Sequence, residues 1–215
     1  MDSEIVRASL DKHLEAIERI LLWALAIAGV VGWAGMSGQE PIKFLGLEAT
    51  RNDAYWIAGS AFVLANLALL VAFLRIADLL NLLTNAEFIK GIDKLVTHPF
   101  LFNPFAYFGN RAAARIHSCL GFGMLIICWW SCYAAVSTLR PRSVVPPSIE
   151  IVFLGVGLAS MVAVNRCYSI VISGLKKYQA KYAKELESTR VERTVATFAS
   201  IGVGGLIYTF ANLPH

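Results

Sequence analysis

The chain has 215 residues, of which 57% are hydrophobic and 16% are charged, and its formal net charge is +4. Soluble domains carry about 25% charged residues, so this composition excludes an ordinary water-soluble domain. A transmembrane β-barrel is also excluded, because the apolar stretches are unbroken runs that do not alternate with a period of two. We therefore predict an all-α polytopic membrane protein, with one domain that forms a bundle of about five transmembrane helices.

Residues 1–19 are predicted to form an amphipathic helix ahead of the first span. Val6, Leu10, Leu14 and Ile17 recur at helical spacing among charged residues. Such a helix is either a cytosolic extension of the first span or an interfacial, partner-binding helix. The pattern favours the extension.

Five apolar runs are long enough to cross the roughly 30 Å hydrocarbon core of a bilayer. The predicted spans are about 20–36, 54–75, 116–138, 149–175 and 194–213. The first run could be mistaken for a signal peptide, but its flank is long and carries both charge signs, so we predict an uncleaved span. The last run contains three glycines, yet Thr189 and Glu192 form a capping box ahead of it, which indicates a new helix.

Small residues recur every four positions in two of these runs. They are Ala24, Ala28 and Gly32 in the first run and Ala196, Ser200 and Gly204 in the last. Small residues on one helix face let helices approach closely in lipid, where packing replaces the hydrophobic driving force. The spacing therefore predicts close helix contacts without naming the partner helix.

The basic residues are distributed unevenly along the chain. Three precede the first span, five lie in or flank the connector 76–115, and six lie in the connector 176–193. Only four lie in the alternate loops, namely Lys43, Arg51, Arg140 and Arg142. By the positive-inside rule the N-terminus and both basic connectors are cytosolic and the C-terminus is external. A multi-pass protein of the cell inner membrane or plasma membrane is expected.

Several polar residues are predicted to share one depth at the cytosolic side. A helix rises about 1.5 Å per residue, so these residues fall close to the inner boundary of the hydrocarbon core. The predicted inner-face polar ring contains Arg75, Asp78, Arg115, His117, Asn165 and Arg166. Arg166 can extend its guanidinium to the interface. Asp78 is a candidate partner of Arg166 or Arg115.

Asn66 lies near the middle of the second span. A polar residue at that depth is either an interhelical hydrogen-bond partner or part of a pathway through the membrane. We favour the structural interpretation.

The connector 76–115 contains the most unusual composition of the chain. A short helix is predicted over 86–96, and Pro99 ends it. An aromatic platform follows, formed by Phe100, Phe102, Phe105, Tyr107 and Phe108. So many rings are costly in water, so we expect them to pack on the bundle, the lipid or a neighbouring subunit. A partner-binding surface and a pore-lining element remain as alternatives.

The fourth span is predicted to continue into a basic amphipathic helix. Its lysines are Lys176, Lys177, Lys181 and Lys184. Lysines beneath a membrane are typical of contact with anionic lipids on the cytosolic side. Packing against another subunit is the alternative.

Motifs for chemistry are lacking in the sequence. The four cysteines, Cys119, Cys128, Cys132 and Cys167, all fall within predicted spans and lack metal-ligand spacing. Phosphate-loop, zinc-protease and nucleophile-elbow motifs are also lacking. We therefore expect no cofactor, no metal and no nucleic acid partner.

Two classes of function follow from these predictions. One is a non-enzymatic membrane subunit that self-associates, or scaffolds a membrane complex, through small-residue helix faces and cytosolic connectors. The alternative is an oligomeric channel or transporter-like protein with a path past Asn66 and the inner basic ring.

Overall fold

The structure, a computed structural model, describes residues 3–38, 41–44, 47–83, 85–98, 103, 105, 111–140 and 148–178. Its elements are α1 (Ser3–Met36), β1 (Ile42–Phe44), β2 (Leu47–Ala49), α2 (Arg51–Leu82), α3 (Asn85–Thr97), α4 (Arg111–Thr138) and α5 (Ser148–Tyr178). The prediction of a mainly helical chain is confirmed. The predicted span 194–213 and most of the connector 176–193 lie outside the described residues.

Helix α1 is one continuous helix that contains both the amphipathic segment and the predicted first span. Val6, Leu10 and Leu14 are buried, and the same buried face continues through Leu21 to Val31. Intervals of three and four residues keep these side chains on one face of a helix. The N-terminal segment is thus an extension of the first apolar run, as its pattern indicated.

A short antiparallel hairpin joins α1 to α2, and it departs from the all-α prediction. Strands β1 and β2 pair Ile42 with Ala49 and Phe44 with Leu47. Each strand has three residues, which is too short for an alternating pattern to stand out in the sequence. The hairpin nevertheless contributes Ile42 to the buried core.

Helix α2 begins at a clear capping residue. Thr50 is extended, and its Oγ1 accepts a hydrogen bond from Asp53 N at 3.2 Å. This satisfies one of the amides that have no partner inside the first turn. The helix then covers the whole predicted second span and runs on to Leu82.

The long helices pack in two pairs, and the two helices of each pair are parallel. In each pair, the residue numbers of the contacting side chains increase in the same direction along both helices. Cys128 and Cys132 of α4 contact Leu21 and Ala24 of α1. On α5, Ser160 and Cys167 likewise donate to the carbonyl oxygens of Asn66 and Phe73 on α2. Helix α1 also packs along α2, which joins the two pairs into one bundle.

The small-residue face predicted for the first span is buried inside the chain. Ala24 and Ala28 are buried, and a Cβ at Gly32 would lie 3.8 Å from the Ala135 side chain of α4. Helices α1 and α4 come still closer together near their C-terminal ends, where a Cβ at Gly35 would collide with Thr138. The partner of this face is therefore α4 of the same chain.

Helix α3 packs beside the start of α1 and runs parallel to it. Three ion pairs ascend together: Arg7–Glu87 at 3.6 Å, Asp11–Lys94, and Glu18–His98 at 3.7 Å. We name this the α3 end of the bundle, and the opposite end, with β1 and β2, the hairpin end. Helix α3 covers the predicted 86–96 helix with one additional residue at each end.

Two of the described helices have the length and apolarity needed to cross a membrane. They are Arg51–Leu82, which is α2, and the part of α5 from Ile149 to Val171. Helix α4 contributes a shorter apolar segment, Leu125–Thr138.

Candidate functional site: a polar groove at the α3 end

An open groove of about 380 Å³ lies where α2, α3 and α5 meet. Its floor is apolar and is formed by the buried side chains of Leu80, Leu83 and Phe88. Its rim is polar and exposed, with Asn81 on α2 and Arg166, Ser169 and Ser173 on α5. The volume falls within the range of ligand sites in proteins, which is about 300 to 1,000 Å³.

Glycines shape this groove by letting α3 approach its neighbours. The ring of Phe88 occupies the space where a Cβ at Gly174 would stand. On α3 itself, a Cβ at Gly91 would lie 2.5 Å from Leu83 Cδ1. Larger side chains at these two positions would push α3 away from α5 and α2 and open the groove's floor.

The segment after α3 is held by Asn103, whose side chain is only 1% exposed. Its Nδ2 donates to Leu95 O at 2.8 Å and to His98 O at 3.2 Å, at the C-terminal end of α3. Its Oδ1 accepts from Phe105 N at 2.9 Å. One amide therefore closes the end of α3 and holds the backbone N–H of Phe105.

The aromatic platform is described at one residue, Phe105. Its ring is buried and lies against Phe73 of α2 and Tyr168 of α5, with ring centroids 6.3 Å and 5.1 Å apart. At this position the aromatic segment packs on the bundle of its own chain. The other predicted platform residues, Phe100, Phe102, Tyr107 and Phe108, lie outside the described residues.

Four members of the predicted polar ring are described, and all four are exposed near the α3 end. They are Arg75 and Asp78 on α2 and Asn165 and Arg166 on α5. Asp78 and Arg166 are both close enough to Cys167 for their charges to act on it. Among the described side chains, however, no ion pair within 4 Å joins Asp78 to Arg166. Arg115 and His117 lie in α4, but their side chains are outside the described set.

Arg75 faces the N-terminal part of α1. Partial burial of His13, and then the positive charge of Arg75, hold the pKa of that imidazole below its usual value of 6.5. Both causes disfavour the protonated form. This part of α1 therefore favours a neutral histidine beside a fixed cation.

Asn66 is buried in the middle of the bundle. Its Nδ2 donates to Phe62 O of its own helix at 2.9 Å, and its backbone oxygen accepts from Ser160 Oγ at 3.0 Å. The cavity beside it measures about 20 Å³, which is room for about one water molecule. In the described part of the chain, the immediate surroundings of Asn66 are a packed core.

Three of the four cysteines are described, and each is free and buried. Their thiols point to carbonyl oxygens of a neighbouring helix: Cys128 to Leu21 at 3.8 Å, Cys132 to Ala24 at 3.7 Å and Cys167 to Phe73 at 3.0 Å. They act as small packing residues with a weak donor. A cluster of three or more side chains suited to a metal ion is lacking within the described ranges.

Two basic residues at the hairpin end have specific partners that the sequence did not reveal. Arg51 donates from one nitrogen to Gly35 O at 3.0 Å and to Thr138 O at 2.7 Å, near the C-terminal ends of α1 and α4. Arg140 pairs with Glu150, which is 2% exposed, and its Nε lies 3.0 Å from Glu150 Oε1. The charge count treated both arginines as loop residues.

Two aromatic residues near the start of α2, Tyr55 and Trp56, have different environments. Aromatic residues at the edge of an apolar run are typical of interfacial anchors. Trp56 is exposed, but Tyr55 is fully buried and its ring lies edge-on to that of Trp56. Hydropathy does not reveal which face of a uniformly apolar helix turns inward.

The lysines proposed for lipid contact fall at the limit of the described chain. Lys176 and Lys177 are in the last turns of α5, although their side chains are outside the described set. Lys181 and Lys184 lie outside the described residues.

Asn103 is the main site residue that the sequence analysis missed. Its position before Pro104 is a turn signal that could have indicated it.

Comparison of the chain with models of protein families, with curated proteins and with solved structures found no match.

Proposed function

We propose that this chain is a non-enzymatic integral membrane protein whose helices α1, α2, α4 and α5 cross the bilayer. In this proposal it acts as a subunit that self-associates or scaffolds a membrane complex. The observation that carries the proposal is a belt of large apolar side chains turned outward on three helices. Its members include Trp23 and Trp33 on α1, Ile57, Leu64 and Val71 on α2, and Ile151, Leu158 and Val162 on α5.

The exposure of this belt is large for each side chain. Trp33 is 75% exposed, Leu64 is 65% exposed and Val162 is 69% exposed. Soluble monomers rarely expose contiguous apolar surface of this extent, because such a surface drives association in water. Lipid chains accommodate it without that cost.

The belt on α2 has the height of a bilayer core. Its outward surface is bounded by Asp53 at the hairpin end and Arg75 at the α3 end. These residues are roughly 22 positions apart, or about 33 Å at 1.5 Å per residue. The hydrocarbon core is about 30 Å thick, so the polar ends would reach the two interfaces.

The count of basic residues carries the proposed orientation, with the α3 end in the cytosol. Arg51 is bound to carbonyl oxygens at two helix ends, and Arg140 is paired with a buried carboxylate. Basic residues at the α3 end are paired too, since Arg7 contacts Glu87 and Lys94 contacts Asp11. The orientation therefore follows from the number of Lys and Arg residues on each side, as the positive-inside rule states, and not from their pairing.

The helix proposed to mediate self-association is α5 and not α1. Helix α4 already covers Ala24, Ala28 and Gly32 within the chain. On α5, Gly155 and Ala159 are four residues apart and exposed, and Gly155 has open space around it. A small residue every four positions on a lipid-facing helix favours close helix pairing.

Native mass spectrometry of the full chain released from lipid nanodiscs tests this proposal. We expect a defined multimer, and Gly155→Leu should shift it toward monomer because leucine keeps the two backbones apart. Gly29→Leu is the matched control, since Gly29 is also an exposed helical glycine with open space around it. A monomeric wild-type chain, or equal effects of both variants, would count against self-association through α5.

The channel alternative has less support. The space beside Asn66 holds about one water molecule, and the amide of Asn66 is bonded to its own helix. A path past this residue would need an opening that the core formed by the described helices does not provide. Planar bilayers containing the protein should accordingly show no discrete conductance that changes with Asn66→Leu.

A further inference from the structure

We propose that the groove between α2, α3 and α5 binds the phosphate group of an anionic phospholipid, with Arg166 as its principal contact. This inference rests on the proposed membrane location. It goes beyond the general attraction of anionic lipid to the lysines at 176–184, because it assigns one lipid to one site.

The first support is the free charge of Arg166. Within the described part of the chain, its guanidinium forms no hydrogen bond or ion pair and lines an open groove. Arginine presents five N–H donors in a planar fork that matches the oxygens of a phosphate. A guanidinium in this position therefore has its full binding capacity available.

The second support is the composition of the rim. Asn81, Ser169 and Ser173 place an amide and two hydroxyl groups around the same opening as Arg166. Among the described lining residues there is no carboxylate, so the groove carries one positive charge. Asp78 of α2 does not line the groove. An anion is the complementary ligand.

The third support is the surface that leads to the groove along α5. Val162 and Leu158 are exposed one and two turns before Arg166, on the same side of the helix. An acyl chain can lie along these side chains while the phosphate reaches Arg166 at the interface. A soluble phosphate would use only the rim.

The test counts lipids on the purified full chain. The protein is exchanged from phosphatidylcholine nanodiscs containing a minor fraction of phosphatidylglycerol into detergent, and retained lipids are counted by native mass spectrometry. We expect one retained phosphatidylglycerol per chain. Arg166→Gln should reduce its occupancy about fivefold, the effect of one basic residue near an anionic surface.

Arg75→Gln is the matched control, because Arg75 is an exposed arginine near the α3 end that does not line the groove. It should leave occupancy unchanged. Ser173→Trp keeps every charge but fills the rim, and it should also reduce occupancy. The Ser173 variant preserves the test if Arg166→Gln fails to fold.

Three results would overturn the proposal. Equal loss in the Arg75 and Arg166 variants would show diffuse attraction by the basic end. Unchanged occupancy in Ser173→Trp would place the lipid elsewhere. Displacement of the lipid by millimolar inorganic phosphate would assign the groove to soluble phosphate compounds. Failure of the membrane proposal is separate and visible earlier, since the chain would then remain dispersed without detergent.

Discussion

Arg51 shows how one side chain can serve two helices at once. It stands at the first position of α2, at the hairpin end, where α1 and α4 both terminate. The last carbonyl groups of a helix have no partner within it and carry partial negative charge. The guanidinium supplies donors to one such group in each helix, at Gly35 and Thr138. It thereby joins three helices at a single point.

Replacing Arg51 with methionine should lower the free energy of unfolding by about 1.5 to 3 kcal/mol, which is the contribution of one hydrogen bond from a charged donor, because a single nitrogen makes both contacts. Chemical unfolding in detergent provides the measurement. Arg19→Met is the control, since Arg19 is highly exposed and its partner among the described residues is Glu15 of its own helix. Its effect should stay below about 0.5 kcal/mol. A loss of similar size in both variants would contradict the capping role.

His13 gives the fold a predicted dependence on pH. Its pKa in the folded chain lies below 6.5, so the unfolded chain binds the proton more tightly. The stabilisation is therefore fully present above about pH 6.5 and is lost as the pH falls through the lower folded value. NMR titration of the imidazole should show the lowered pKa directly, and Arg75→Gln should raise it. A pKa that does not move in that variant would exclude Arg75 as a cause.

At the scale of elements, α3 is held to the bundle by residues that are far from it in the sequence, so the sequence alone does not reveal these contacts. Its ion pairs reach back to α1, its Phe88 fits against Gly174, and its C-terminal end is closed by Asn103. These contacts place the floor of the groove. Loss of the Asn103 amide would release both the end of α3 and the ring of Phe105.

Asn103→Ala should therefore increase hydrogen exchange throughout α3 and expose the connector to protease. The change leaves the carbonyl oxygens of Leu95 and His98 without their donor, and such a loss costs about 1 to 3 kcal/mol when the group is buried. Asn165→Ala removes an exposed amide and serves as the control. Exchange in α3 that is unchanged by Asn103→Ala would show that the ion pairs with α1 suffice to hold the helix.

The helices could be predicted because apolar runs and helical spacing are local properties of the sequence. The stripe from Val6 to Val31 is an example, since its spacing alone fixes a buried face. The partner of a face is not local. Nothing in the spacing of Ala24, Ala28 and Gly32 indicates that α4 covers it, more than 90 residues later in the chain.

The same limit applies to the candidate site. Depth along a helix identified Arg166 as a residue near the interface, and that estimate needed only the helical rise. The groove beside it depends on where α3 packs, which is set by Phe88 and Gly174 from distant parts of the chain. Charge counting likewise found Arg51 and Arg140 but gave no indication of the carbonyl oxygens and the carboxylate that bind them.

The two ends of the whole molecule use their basic side chains differently. At the hairpin end, Arg51 and Arg140 are bound to helix termini and to a buried carboxylate. At the α3 end, Arg7 and Lys94 join α1 to α3 through ion pairs, while Arg75 and Arg166 are exposed. The outward apolar belt between the two ends, together with the larger count of basic residues predicted on the side of the α3 end, supports the proposal that the bundle crosses a membrane with its α3 end in the cytosol.

The most direct test of this account labels the two ends from one side of the membrane. Glu48→Cys marks the hairpin end and Lys90→Cys marks α3, and the unsubstituted chain gives the background. A membrane-impermeant maleimide should label position 48 in intact cells and position 90 only after permeabilisation. Labelling of both positions in intact cells, or of neither until permeabilisation, would contradict a bundle that spans the membrane with its ends on opposite sides.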